Sequence, residues 1–97
     1  MPFDIVLAPQ AVEDFKRLKA HRRAELRDAL EAHLRHEPTK TSRSRIKRLR
    51  GLSQPQYRLR VGNVRVFYDV DVDTVQVLAI VAKSEAEEWL GQFGKPA

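Results

Sequence analysis

The sequence predicts an α+β fold in which an N-terminal strand and a two-helix hairpin pack on an antiparallel sheet of three or four strands, followed by a short C-terminal helix. Three observations predict this class. Apolar residues recur at helical spacing over residues 9–37. Over residues 57–70 they alternate with polar residues, which is typical of a half-buried strand pair. The 97 residues suffice for one domain, 1–97, with a single core.

The N-terminal third predicts a strand followed by two helices. Apolar side chains alternate over residues 3–7, as in a short strand. Pro9 favours a helix start, and the apolar spacing predicts a first helix over residues 9–19. A second helix is predicted over residues 20–37, where Pro38 stops it. Its apolar face consists of leucines four residues apart, namely Leu26, Leu30 and Leu34.

The middle of the chain predicts loops around one weak strand. Residues 39–44 are polar, as in a loop, and Pro55 marks a second loop. Between them Ile46 and Leu49 stand among basic residues before Gly51. This pattern predicts a short strand at the edge of the sheet.

The strongest local pattern predicts a β-hairpin. The dipeptide Gly62-Asn63 stands between two alternating segments and suits a two-residue turn of type II′ or I′. A turn of this length fixes the register of the two strands. Six residues then pair on a face that packs against the helices, Tyr57 with Tyr68, Leu59 with Val66, and Val61 with Val64.

A strand over residues 74–82 is predicted to lie in the middle of the sheet, because it is almost entirely apolar. With a second tight turn at residues 72–73, the same register extends into this strand. It places Leu78 beside Phe67 and Ile80 beside Arg65.

The C-terminal segment predicts a short amphipathic helix. Ser84 and Glu87 have the spacing of a capping box, with Ser84 as the N-cap. Trp89, Leu90 and Phe93 supply the apolar side of the helix that follows.

The composition excludes several classes of protein. The absence of cysteine excludes a disulfide scaffold and thiolate chemistry. No stretch of the sequence approaches the length of a membrane span, which needs about 18 consecutive apolar residues. The first ten residues lack the basic start of a signal peptide. We therefore expect a cytoplasmic protein that does not contact a membrane.

Positive charge is concentrated in one part of the chain. Basic and acidic residues balance over residues 1–39, whereas residues 40–65 carry nine basic residues and no acid. Residues 66–97 carry two basic and six acidic residues. A basic block of this kind attracts phosphates or acidic protein surfaces, although a solvated surface is the simpler alternative.

Three arginines of the basic block are predicted to share one face of the hairpin. Arg60 lies opposite Arg65 in the predicted register, and Arg58 lies on the same face. Like charges placed opposite each other destabilise a sheet, so an anion is the simplest partner. Arginine forks match phosphate groups in particular. The alternative is that these arginines pair with acids of the C-terminal helix, such as Glu85 or Glu88.

Two segments carry a resemblance to a known family. They are Arg48-Leu49-Arg50-Gly51-Leu52 and the hairpin over residues 57–68. In these segments, and in the order of its elements, the chain resembles the RelE/ParE superfamily, the toxins of type II toxin–antitoxin modules. The resemblance implies a compact toxin that a cognate antitoxin silences. RelE-type members cut mRNA in the ribosomal A site, whereas ParE-type members poison DNA gyrase.

The resemblance to RelE-type toxins implies a catalytic site for a metal-independent endoribonuclease. Arg58 and Arg60 stand where RelE-type toxins have two basic residues before the hairpin turn, and Arg65 stands where they have an arginine after it. Lys83 is the candidate for proton transfer, because an amine crowded by cations gives up its proton more readily, although an exposed strand end is the simpler explanation of this lysine. Glu85 is a second candidate base. Six further residues are candidates for binding RNA or the ribosome, Lys40, Arg43, Arg45, Lys47, Arg48 and Arg50.

Three functions follow from the resemblance. The first is a ribosome-dependent mRNA endonuclease that inhibits translation. The second is a gyrase inhibitor. Ser84 stands where RelE-type toxins have an arginine, and Leu90, or Trp89 with a one-residue shift, stands where they have a tyrosine, which is in favour of this function. The retained Arg58, Arg60 and Arg65 are evidence against it. The third is an inactive module that only binds its antitoxin.

The expected protein partner is an antitoxin that is acidic or carries an amphipathic helix. It would cover the basic face and compete with the C-terminal helix. The three histidines lack the spacing of metal ligands, and no phosphate-binding glycine loop is present. We therefore expect no metal and no cofactor.

Overall fold

A mixed five-stranded sheet forms the centre of the protein, and the computed structural model describes all residues, Met1–Ala97. The elements in chain order are β1 (Asp4–Leu7), α1 (Pro9–Arg17), α2 (Ala20–Leu34), β2 (Ile46–Arg48), β3 (Leu52–Gln54), β4 (Tyr57–Val61), β5 (Val64–Val70), β6 (Thr74–Ala82), a 3-10 turn (Lys83–Glu85), α3 (Ala86–Phe93) and β7 (Lys95–Pro96). The strand order in the main sheet is β1-β6-β5-β4-β2, and β3 pairs with β7 in a small second sheet. The predicted α+β class is confirmed.

The two N-terminal helices form as predicted, but both are shorter. Pro9 begins α1, where its missing N–H costs nothing, and the chain is already extended at Leu18. Helix α2 ends at Leu34 rather than at residue 37. The carbonyl of Arg35 accepts a hydrogen bond from the N–H of Phe3 at 2.7 Å. This bond holds the C-terminal end of α2 next to the residue that precedes β1.

Strand β1 lies parallel to β6, and this makes the sheet mixed and five-stranded. Parallel strands need a long crossover, and α1 and α2 begin this connection on one face of the sheet. The core fills the space between that face and the helices. Leu26, Leu30 and Leu34 of α2 are buried there, as their spacing predicts.

The hairpin of β4 and β5 has the predicted register throughout, from Val61 opposite Val64 to Tyr57 opposite Tyr68. Gly62 has a φ of +56°, and no residue other than glycine has a positive φ. The turn is therefore of type II′, which needs a positive φ only at its first central position. Of the predicted core residues, Leu59 and Val66 are fully buried in the cluster against the helices.

The predicted pairing of β5 with β6 is correct from the turn up to Tyr68 and wrong from Phe67 onward. A bulge shifts the register, because Tyr68 lies opposite Val77 whereas Phe67 lies opposite Ala79. Leu78 is the extra residue of the bulge and is not paired with Phe67. Ile80 consequently lies opposite Val66 and belongs to the core, not beside Arg65.

Val81 takes the place beside Arg65 that was predicted for Ile80. One extra residue exchanges the two faces of a strand, since side chains alternate with a period of two. The predicted edge strand around Ile46 exists as β2, which pairs only with β4.

The capping box predicted at Ser84 is wrong. The chain leaves β6 in a 3-10 turn, so that Glu85 takes the N-cap position and no side chain caps either helix start. Helix α3 forms, and Trp89 stacks on Phe67 with ring centroids 5.0 Å apart. Phe67 points away from the core of α1 and α2, so α3 covers the opposite face of the sheet. No helix has both the length and the apolar character that crossing a bilayer requires.

Candidate functional site

Three arginines lie together on the sheet face that is turned away from α1 and α2. Arg60 is directly opposite Arg65, and Arg58 is opposite Phe67, as the turn predicts. Opposite residues of antiparallel strands share one face, with Cβ atoms about 5 Å apart. We call Arg58, Arg60 and Arg65 the arginine face.

The arginine face has no acidic partner. None of the ion pairs in the structure includes one of its residues. The alternative that these arginines pair with Glu85 or Glu88 therefore finds no support. The face keeps its full positive charge, which an anion can neutralise.

Burial and mutual repulsion perturb two of these guanidinium groups. The pKa of Arg58 is lowered, first by burial and then by the charges of Arg65 and Arg60. The pKa of Arg65 is lowered by burial and by the charge of Arg60. Both remain cations, because a guanidinium does not lose its proton in proteins. Charge repulsion of this kind is relieved when an anion binds between the groups.

Arg65 is the most enclosed member of the arginine face. Only 7% of the residue is exposed. Its Nη1 donates hydrogen bonds to the carbonyl oxygens of Gly62 and Val64, at 2.9 and 3.0 Å. Part of this guanidinium therefore stabilises the hairpin turn. The predicted role of Arg65 in catalysis stays a prediction, and its removal would also disturb the turn.

Arg58 and Arg60 make no side-chain hydrogen bond or ion pair within the protein. Arg58 is half-buried, and its Nε is buried without a hydrogen-bond partner. Buried donors without a partner are costly, so an acceptor at this point would be favoured. Arg60 is exposed, and with Ser44, Arg45 and Gly62 it lines a polar depression of about 320 Å³.

The residues predicted to bind RNA or the ribosome separate into two groups. Lys47 and Arg45 lie next to the arginine face: Lys47 is opposite Arg58, and the Arg45 carbonyl accepts the Arg60 N–H at 2.9 Å. The other four point elsewhere or lie in exposed segments, Lys40, Arg43, Arg48 and Arg50.

Two of these outlying residues already have partners. The ammonium of Lys40 lies 3.5 Å from Glu37, with both side chains largely exposed. The guanidinium of Arg48 lies over the ring of Tyr57 at 5.0 Å, on the other side of the sheet from Arg58. The structure thus places Lys47 and Arg45, rather than the whole basic block, beside the arginine face.

Lys83, the predicted proton-transfer residue, lies at the turn end of the hairpin. It is exposed, and its backbone N–H donates to the carbonyl of Asn63 at 2.8 Å. The preceding residue, Ala82, is paired with Val64. Lys83 is therefore close to the Arg65 end of the arginine face and distant from Arg58.

Tyr68 has a structural role, as its position in the hairpin predicts. Its ring stacks on Tyr57 with centroids 5.5 Å apart, and its hydroxyl donates to the carbonyl of Pro38 at 2.7 Å. Burial raises the pKa of Tyr68 well above its ordinary value. It anchors the loop after α2 and does not reach the arginine face.

Asp14 is a buried residue that sequence reasoning missed. Its Oδ2 accepts the backbone N–H of Ile80 at 2.9 Å, and its Oδ1 accepts from Gln10 at 2.8 Å. The signal in the sequence was its spacing, since Asp14 stands three residues after Ala11 on the buried side of α1. Strand β1 pairs with β6 only as far as Val77. Beyond that point the Asp14 carboxylate takes the place of β1, because it accepts the N–H of Ile80 on the same edge of β6.

A second surface feature is an apolar groove between α1, β6 and α3. It encloses about 600 Å³ and includes Leu18, Ile80, Trp89 and Phe93. None of the arginines of the arginine face lines it. That a partner competes with α3 stays a prediction. No group of three histidine, aspartate or glutamate side chains could hold a metal ion.

Comparison with known proteins decides the family. A family model described as the ParE toxin of the type II toxin–antitoxin system, parDE, matches residues 5–87. The chain belongs to the ParE toxin family. The RelE/ParE resemblance predicted from residues 48–52 and 57–68 is thereby confirmed, and so is the prediction of a toxin of a type II toxin–antitoxin module.

Solved structures share the fold of this ParE-family toxin. A double arginine-to-alanine variant of Escherichia coli toxin RelE in the free state has a TM-score of 0.71 and 22% identity, covering 94% of this chain and 93% of that chain. A RelE–RelB complex from Pyrococcus horikoshii has a TM-score of 0.63 and 25% identity, covering 86% and 97%. A RelBE complex from Mycobacterium tuberculosis has a TM-score of 0.64 and 23% identity, covering 84% and 99%. Among curated proteins no significant match is found.

Proposed function

We propose that this toxin is a ribosome-dependent mRNA endonuclease that stops translation in the cytoplasm and is neutralised by a cognate antitoxin. The observation that carries the proposal is the arginine face, three cations on one surface without an acidic neighbour. A protein that only needed this surface for folding would gain stability from an acid among them. The fold likeness to RelE adds support for this class of activity.

The chemistry suits cleavage of RNA without a metal. In such a reaction the ribose 2′-hydroxyl attacks the adjacent phosphate, and negative charge develops on the phosphorus oxygens. Arg58 and Arg60 present donors that are already in place for this charge, which is the main source of rate enhancement at such sites. Arg45 and Lys47 extend the positive surface toward neighbouring phosphates of the RNA.

The first experiment measures cleavage of a short mRNA by purified toxin, with and without programmed ribosomes. Arg60→Ala is the variant of choice, because Arg60 is exposed and its loss leaves the hairpin turn intact. We expect Arg60→Ala to cut about 100-fold more slowly than wild type, by analogy with the loss of one charge-stabilising donor. Arg27→Ala, an exposed arginine of α2 on the other side of the sheet, should cut at the wild-type rate. Wild-type cleavage by Arg60→Ala would refute the assignment of the arginine face.

Inhibition of DNA gyrase is the second candidate function. The match to the ParE toxin model favours it, because ParE-type toxins act on gyrase. A gyrase supercoiling assay separates the two candidates. A folded toxin that stops growth and blocks supercoiling, but leaves ribosome-bound mRNA intact, would replace the endonuclease by the gyrase inhibitor.

The proposed antitoxin covers the arginine face with acidic residues or with an amphipathic helix. Three of the similar solved structures are toxin–antitoxin complexes, which supports such a partner. Reversal of charge in the variant Arg60→Glu should weaken binding of the co-expressed antitoxin, measured by pull-down, whereas Arg27→Glu should not. Equal binding by both variants would assign the antitoxin to another surface, such as the apolar groove.

A further inference from the structure

The arginine face lacks a group that can give up a proton. Arg58, Arg60 and Arg65 stay protonated, and Phe67 and Ala79 continue the same face without a titratable group. Cleavage of RNA requires a proton for the 5′-oxygen that leaves the phosphorus. A proton donor that belongs to the protein therefore lies on a strand or turn beside these arginines.

Lys47 is the amine nearest to the free arginines. It is the central residue of β2, directly opposite Arg58, and directly opposite residues share a face of the sheet. Its Cα lies about 5 Å from that of Arg58 and roughly 8 Å from that of Arg60, as strand spacing and rise dictate. Ile46 and Leu59, the neighbouring pair, are buried in the core, so the alternation turns Lys47 outward.

Lys83 lies at the far corner of the same face. From Lys47 it is three strands across and four residues further along the strand direction, which amounts to roughly 20 Å between Cα atoms. The two amines are too far apart to serve one phosphate. Nη1 of Arg65, beside Lys83, already donates to the turn carbonyls, whereas Arg58 and Arg60 make no side-chain hydrogen bond or ion pair within the protein, so the phosphate site of the proposed endonuclease is placed at Arg58 and Arg60, next to Lys47.

The ammonium of Lys47 is also free to act. Its side chain is exposed, and it belongs to no ion pair. Strand β2 is the edge strand of the sheet, so RNA can approach it from the side without displacing another strand.

We propose that Lys47 is the general acid of the proposed endonuclease, an inference that rests on that function. In the step, the 2′-oxygen bonds to phosphorus and releases its proton to water. The bond between phosphorus and the 5′-oxygen breaks, and the Lys47 ammonium gives a proton to that oxygen. The products are a 2′,3′-cyclic phosphate and a 5′-hydroxyl end, and Lys47 regains its proton from the water that took the first one.

The test uses Lys47→Arg, which keeps the positive charge but removes the ability to give up a proton. On ribosome-bound mRNA with the normal linkage, we expect this variant to cut at least 100-fold more slowly than wild type. A second mRNA carries sulfur in place of the 5′-bridging oxygen at the cleaved position. A thiolate leaves without a proton, because a thiol is far more acidic than an alcohol, so Lys47→Arg should cut this linkage within about tenfold of wild type.

Lys16→Arg is the matched control, because Lys16 is an exposed lysine of α1 far from the arginine face, and it should match wild type on both substrates. Normal cleavage of the oxygen linkage by Lys47→Arg would overturn the proposal. An equal loss on the oxygen and sulfur linkages would also overturn it and assign Lys47 to binding or to structure. If wild-type toxin cuts neither substrate, the proposed function itself fails, which is a distinct result.

Discussion

Removal of the Asp14 carboxylate should destabilise the protein, because this buried side chain holds the edge of β6. The side chain is 8% exposed, and it holds the N–H of Ile80 where β6 runs beyond the end of β1. In Asp14→Ala this buried N–H loses its only side-chain acceptor. Gln10 is exposed and finds water instead, so its loss adds little.

The expected cost of Asp14→Ala is about 3 kcal/mol of unfolding free energy. A hydrogen bond to a charged group contributes about 1.5–3 kcal/mol, and a stranded buried donor costs about 1–3 kcal/mol, two descriptions that overlap. For a chain of this length, this is a drop in Tm of about 12–24 °C. Asp14→Asn keeps an acceptor oxygen for Ile80 and loses only the charge, so about 1 kcal/mol is expected.

Urea unfolding followed by far-ultraviolet circular dichroism measures these differences. Glu13→Ala is the matched control, because Glu13 is the preceding residue of α1 and is largely exposed. Surface substitutions of this kind change stability by less than about 0.5 kcal/mol. If Asp14→Ala unfolds within 0.5 kcal/mol of the control, the carboxylate does not hold the β6 edge and the reasoning is refuted.

Three further outcomes are expected. Gly62→Ala should lower the free energy of unfolding by about 1–2 kcal/mol, measured in urea, because an alanine is strained at a φ of +56°. Gly91→Ala in α3 is the control and should raise it by about 0.5–1 kcal/mol. An unchanged stability of Gly62→Ala would contradict the type II′ turn. Burial raises the pKa of Tyr68, so the phenol stays protonated in the folded protein while the unfolded chain ionises. The stability from Tyr68 is therefore complete below about pH 10 and is lost above it, and unfolding measured from pH 8 to pH 11 should fall more steeply for wild type than for Tyr68→Phe; parallel curves would count against this. Ribosome binding should weaken as salt rises, and Arg60→Ala should reduce the slope of log affinity against log salt by about 0.7; an unchanged slope would mean that Arg60 contacts no phosphate.

Residues that specify their structure locally were predicted correctly. Gly62 and Asn63 set both the turn and the pairing of the strands on either side, because a two-residue loop allows a single register. The arginine face follows from this turn alone. The leucines of α2 likewise define a buried face through their spacing.

Residues that depend on distant packing were predicted less well. The bulge at Leu78 is not marked by glycine or proline, and it places Ile80 in the core instead of at the predicted position beside Arg65. The capping box failed because the chain leaves β6 through a 3-10 turn that shifts the helix start past Ser84. Both depend on how the end of β6 packs, which the local sequence does not describe.

The sequence by itself determined the α+β class, the toxin family, and a pair of strands that place three arginines on one face, because helical spacing and a tight turn act between near neighbours in the chain. Only the tertiary structure decided which of these charges are available. It bound Arg65 to the turn and left Arg60 exposed. It also brought Lys47 next to Arg58 and Asp14 onto the N–H of Ile80. Contacts between residues so far apart in the chain form only when the whole core packs, so their partners are chosen by the fold and not by the local pattern.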